Sequence, residues 1–323
     1  MGRKRLLLCG IAGLALVVPM APRAGAKEAA KPRPKVRMTR SRRYGCERLD
    51  FRVPETRNRA FVILPNKRAE KGPTPWVWFA PALRDERGRV RYPGPWHDWL
   101  FSRLLGGGSA ICAVDVGESW GNPKGREQFT KFYEFVVAEF KLSAKPCLFA
   151  QSRGGLMVLN WAADHPKKVQ CIGAIYPVCK ISVTPFFARI YDLAGRKAKK
   201  AEWDKLPETQ REKRNEAELR DQFKRHNPLD RVALLVAAKV PLLSLHGIED
   251  RLVPLAAHSG ELIRRYRHLG GNARLIARIG QRHEPADVFF ESEELLEFFL
   301  HGGRPPRKNG RTPPPGKESD TRP

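Results

Sequence analysis

Cys147-Leu-Phe-Ala-Gln-Ser152-Arg-Gly-Gly-Leu156 reads as a strand that runs into a sharp turn and leaves it as a helix. Residues 147–150 are apolar without alternation, which suits a strand covered on both faces. Residues 155–164 then follow a helical pattern. A serine on such a strand-to-helix turn projects its hydroxyl above the end of the sheet. The positions two before and two after it must be small, because strand and helix approach closely there, and Ala150 and Gly154 meet that demand. Ala stands where Gly is usual. Taken alone, the motif therefore fits a nucleophile and a helix-cap serine equally well.

Two further loops separate those readings. A serine hydroxyl needs a base to take its proton, and the base needs a carboxylate to hold its tautomer. Leu242 to His246 reads as a strand, followed by Gly247-Ile-Glu249-Asp250-Arg-Leu-Val253-Pro254. Leu275 to Ile279 reads as the last strand, followed by Gly280-Gln-Arg-His283. Ser152, Asp250 and His283 thus each follow a strand end, 98 and 33 positions apart, in the order serine, acid, histidine. Glu249 competes for the acid role, but the spacing to Val253-Pro254 favours Asp250. His246 is read as shaping the acid loop, and His97, His165, His226, His258, His268 and His301 as surface or helix-end residues.

The same alternation extends outward. Cys46 to Val53 and Arg59 to Leu64 predict an opening hairpin. Short apolar runs at Trp76 to Ala80, Ala110 to Val116 and Cys171 to Val178 predict buried strands. Helical spacing appears at Trp96 to Leu105, Gly125 to Leu142, Leu229 to Lys239, Leu255 to Leu269 and Ser292 to Leu300. Strands alternating with helices predict an α/β fold: a mostly parallel sheet of about eight strands, with helices on both faces. Residues 180–231 break the rhythm with 14 basic and nine acidic residues, and are read as a helical lid insertion or a solvated excursion. Trp76, Trp78, Trp96, Trp99 and Trp120 are read chiefly as packing residues, with a sugar-binding cleft as the alternative.

These motifs together resemble the α/β-hydrolase superfamily over about residues 46–301. The resemblance implies Ser152 as nucleophile, Asp250 as acid and His283 as base. More narrowly, the chain resembles secreted bacterial hydrolases loosely grouped with the prolyl-oligopeptidase-like proteins. An oxyanion hole needs two backbone donors. One is expected from Arg153. The other is expected from Ala82 or Leu83, since Pro81 has no N–H. The Ser-Arg-x-Gly elbow also resembles that of glucuronoyl esterases, which implies that the Arg153 side chain assists the oxyanion. The alternative is an ion pair on the helix surface.

Charge and termini bear on location. The 323 residues carry a formal charge of +26, which invites a polyanion-binding reading. Residues 1–26 have the basic start, apolar run and Ala24-Gly25-Ala26 ending of a secretory signal. Residues 27–45, net +7, are expected to be a basic disordered linker, and residues 302–323, net +4, a disordered Pro-rich tail. The body at 46–301 keeps +11. The five cysteines beyond the signal are read as buried small hydrophobes, with Cys171 and Cys179 too far apart along one strand to pair. No metal, cofactor or nucleic-acid module is called for, and no later stretch is apolar enough to span a membrane. The expected protein is a secreted or periplasmic serine hydrolase acting on carbohydrate or small acyl esters. A peptidase and a catalytically silent polyanion binder stand as alternatives.

Overall fold

The computed structural model describes residues 36–68, 72–81, 93–181, 191, 221 and 223–304. The proposed signal, most of the proposed lid and tail, and the candidate oxyanion residues Ala82 and Leu83 lie outside the described residues.

Nine strands among the described residues form one sheet: β1 Met38–Arg43, β2 Cys46–Arg52, β3 Arg59–Leu64, β4 Trp76–Ala80, β5 Ala110–Val114, β6 Cys147–Gln151, β7 Cys171–Ile175, β8 Leu242–Gly247 and β9 Ala273–Arg278. Their order is β1-β2-β3-β5-β4-β6-β7-β8-β9. The first three pairings are antiparallel and the remaining five are parallel. After β4 the chain pairs β5 on one side and then places β6 on the other. The crevice at the carboxyl ends of β4 and β6 is therefore a topological switch point, where open α/β sheets place their ligands.

The strand β1 lies inside the stretch that composition assigns to a disordered linker. Its four central residues, Thr39 to Arg42, are exposed, so it shows no apolar periodicity. It forms because β2 offers an open edge and because Tyr44 and Gly45 both adopt left-handed backbone, at φ 54° and 69°. Two consecutive left-handed residues make the two-residue hairpin turn that suits strand twist.

Helices cover both faces. On one side lie α1 Asp98–Gly106, the short α6 Asp287–Phe290 and α7 Glu293–Leu300; on the other lie α2 Pro123–Glu139, α3 Gly154–Asp164, α4 Pro228–Ala237 and α5 Ser259–His268. Side-chain alternation sorts each strand between the two cores. In β4, Trp76 and Trp78 face α2 and α3, whereas Val77 and Phe79 face α1. Trp76 and Trp78 stack at 5.6 Å between centroids and are fully buried, so they build the core and line no cleft. The helix α2 starts where the Asn122 side chain accepts from Gly125 N–H at 2.7 Å, and it buries Phe129, Phe132, Tyr133 and Val136. Cys46, Cys112, Cys147, Cys171 and Cys179 are buried free thiols. Among the described residues no helix is long and apolar enough to cross a membrane.

Candidate active site

The strand β6 ends at Gln151, and the next residue, Ser152, has φ +49°. A left-handed serine is strained. Here its neighbours hold it: its N–H donates to Ile175 O at 3.1 Å, and its carbonyl accepts from Gly155 N–H at 2.9 Å and Val178 N–H at 2.8 Å. The tightness of the turn explains the glycines. A Cβ on Gly154 would lie 2.1 Å from Ala80 O, and one on Gly155 would lie 2.5 Å from Val178 O. The helix α3 departs at once, so its amino-terminal dipole points at Ser152.

The loops after β8 and β9 bring the other two residues to the same point. Ile248 N–H donates to Arg278 O and Glu249 N–H to Gln281 O, both at 3.0 Å, which locks the acid loop against the histidine loop. His283 Nε2 lies 2.8 Å from Ser152 Oγ, and His283 Nδ1 lies 2.6 Å from Asp250 Oδ2. With Nδ1 protonated toward the carboxylate, Nε2 is left to accept from the serine hydroxyl, as a base must. The Asp250 side chain is fully enclosed, and its Oδ1 accepts from Val253 N–H at 2.7 Å. That bond accounts for the acid-to-Val253 spacing seen in the sequence. Glu249 is exposed and stands 4.0 Å from Arg282, so it does not enter the line.

Arg153 directs its side chain to Glu118 at 3.3 Å and over the Trp120 ring at 5.9 Å. It therefore forms the ion pair that was the alternative to an oxyanion role, while its backbone N–H follows Ser152 at the helix entrance.

The sequence reading places His246 as shaping the acid loop but misses three other supporting residues, His97, Gln151 and Tyr176. His246 is wholly buried, and burial holds its pKa below the ordinary histidine value. Its Nε2 lies 2.8 Å from Val253 O and 3.2 Å from Asp250 Oδ2, and its Nδ1 lies 2.7 Å from Ser259 Oγ. Two acceptors at Nε2 require the proton there, so Ser259 donates to Nδ1. His97, read from sequence as a surface or helix-end residue, is instead fully buried beside strand β6. Its Nε2 meets Gln151 Oε1 at 3.2 Å, and Gln151 Nε2 donates to Tyr176 Oη at 3.1 Å. Burial depresses the His97 pKa to about 4. The polar Gln151 in an otherwise apolar strand was the available signal for this network. Nothing in the sequence marked Tyr176.

A profile of the prolyl oligopeptidase family matches residues 118–302, which contain Ser152, Asp250 and His283. No curated protein sequence matches the chain. Among solved structures, an S-formylglutathione hydrolase from Agrobacterium tumefaciens aligns with TM-score 0.57 and 13% identity, over 81% of this chain and 98% of that one. MPT51 of Mycobacterium tuberculosis aligns with TM-score 0.54 and 14% identity, over 78% and 96%. Porphyromonas gingivalis dipeptidyl peptidase 4 aligns with TM-score 0.54 and 14% identity, over 82% of this chain and 35% of that one. The chain thus spans about a third of the length of such a dipeptidyl peptidase. At these identities the neighbours show the fold, which is that of the α/β-hydrolases. The family profile covers more than half of the sequence, and on that ground the chain belongs to the prolyl oligopeptidase family.

Proposed function

We propose that the protein is a serine hydrolase working through an acyl-enzyme, with Ser152 as nucleophile, His283 as base and Asp250 as the acid. The observation that carries this is the continuous line Ser152 Oγ–His283 Nε2–His283 Nδ1–Asp250 Oδ2, at 2.8 Å and 2.6 Å. His283 takes the Ser152 proton as Oγ attacks an ester carbonyl. The resulting oxyanion receives the Arg153 N–H, with Ala82 or Leu83 assigned as the second donor. Protonated His283 then gives its proton to the departing alkoxide. A water, deprotonated by the same imidazole, releases the acid and restores Ser152.

A carboxylic ester of a carbohydrate or small acyl group is the substrate class we favour. Family membership favours a second reading, a peptidase. Export through residues 1–26, and polyanion contact through the basic termini and the 180–231 insertion, belong to the same proposal. Labelling with a fluorophosphonate tests the chemistry: wild type should label at Ser152, and Ser152→Ala should not. A folded wild-type protein that resists labelling would return the chain to a catalytically silent, polyanion-binding role. A panel of acyl esters, uronate esters and dipeptide amides then separates esterase from peptidase.

A further inference from the structure

The geometry points to Tyr176 as the positioning residue for the imidazole of His283. This rests on the serine hydrolase reading above and deepens it.

Two hydrogen bonds define the line through Nδ1 and Nε2 of His283, but they leave the ring free to rock about that line. A contact on the ring face removes this freedom. Tyr176 supplies it: the two ring centroids are 4.4 Å apart with the planes inclined at 51°. Behind it, Tyr176 abuts Phe289 at 5.3 Å and Phe290 at 6.5 Å, both buried. The tyrosine is thus backed by a wall and only 2% exposed.

Its backbone supports the same conclusion. Tyr176 has φ +35°, a region that bulky residues avoid. Such a conformation persists only where its surroundings over-determine it. Two constraints are visible. Tyr176 N–H donates to Leu245 O at 2.8 Å, and Tyr176 Oη accepts from Gln151 Nε2 at 3.1 Å. Gln151 directly precedes the nucleophile and is itself held by His97 at 3.2 Å. The serine turn and the face support of the histidine are therefore joined through one side chain.

The test uses three full-length proteins: wild type, Tyr176→Phe and Tyr176→Leu. The probe is a fluorophosphonate, whose saturation kinetics split into binding (KI) and phosphonylation of Ser152 (kinact). Tyr176→Phe keeps the ring and loses the Gln151 tether. Tyr176→Leu keeps apolar volume and loses the ring. Tyr176→Leu should lower kinact by roughly ten- to a hundred-fold with KI unchanged, the scale expected when a reacting group is slightly misplaced. Tyr176→Phe should restore kinact to within about three-fold of wild type, since the ring contact does the positioning. Equal kinact in wild type and Tyr176→Leu overturns the proposal alone. A folded wild type that never labels overturns it together with the hydrolase reading.

Should Tyr176→Leu fail to fold, the wild type still decides. The carbon-bound ring protons of His283, assigned by their loss in His283→Gln, should be shifted upfield by the tyrosine ring and remain so in Tyr176→Phe. Unshifted His283 protons in the wild type overturn the proposal.

Discussion

His246 Nε2 lies 3.2 Å from Asp250 Oδ2, the same oxygen that accepts from His283 Nδ1 at 2.6 Å. A neutral histidine buried beside Asp250 thus helps to hold its carboxylate. Its own ring is held by Ser259, whose hydroxyl lies 2.9 Å from Ser244 Oγ. Replacing His246 by Leu should take a buried donor from the Val253 carbonyl and the Asp250 carboxylate and loosen the acid loop. Stability should fall by about 2–3 kcal/mol in urea denaturation, the range for buried polar groups left unpaired. Phosphonylation of Ser152 should slow by roughly ten-fold or more. A variant that is less stable yet labels at the wild-type rate would limit His246 to a packing role.

The two adjacent carboxylates should differ sharply. In Asp250→Asn the Val253 N–H holds the amide oxygen, so the amide nitrogen faces His283 Nδ1 and favours the wrong tautomer; labelling should drop by about 10⁴-fold. Glu249→Gln removes only an exposed pairing with Arg282, and its rate should stay within about three-fold of wild type. The reverse pattern would assign the acid to Glu249.

The elbow glycines give a steric prediction with an internal control. In Gly154→Ala the new Cβ would press on the Ala80 carbonyl, so strand β4 or helix α3 must shift. A loss of about 3 kcal/mol or more is expected. Gly106→Ala, at the end of α1 with no atom within 4 Å of the added Cβ, should be neutral or slightly stabilising. Thermal melts of the pair measure this. Equal melting temperatures would show that strand and helix are not in close contact at Ser152.

Acid should weaken the fold through the buried histidines. His97 titrates near 6.5 when unfolded and at about 4 when folded, because burial disfavours its charged form. The unfolded chain therefore binds more protons between those two values. Stability is unaffected above about pH 6.5 and falls as pH drops toward 4, by on the order of 3 kcal/mol for this residue. His258, also depressed to about 4 chiefly by burial, acts in the same direction. His97→Gln keeps a polar partner for Gln151 without a titrating group, and its urea midpoint should decline less between pH 7 and pH 4.5. An identical decline in both proteins would remove His97 as the cause.

Much of this architecture was legible in the chain because the relevant physics is local. Unbroken apolar runs mark strands covered on both faces, helical spacing marks their covers, and the small residues at 150 and 154 mark a tight turn. The sequence carried Ser152, Asp250 and His283 for the same reason: each follows a strand end, and in an α/β sheet the strand ends share one edge. The strand Met38–Arg43 was not legible, since it forms through backbone pairing with β2 and has no apolar face of its own. The register of Cys147 opposite Cys171 on neighbouring parallel strands was equally invisible.

The sequence by itself determined the fold class, the elbow and the candidate residues of the site. Only the tertiary structure decided which carboxylate meets His283, where the Arg153 side chain goes, and that His97, Gln151 and Tyr176 support the site. Periodicity and spacing report which face of an element is buried. They do not report which residues from distant segments meet there, and a hydrogen bond or ring contact depends on that meeting.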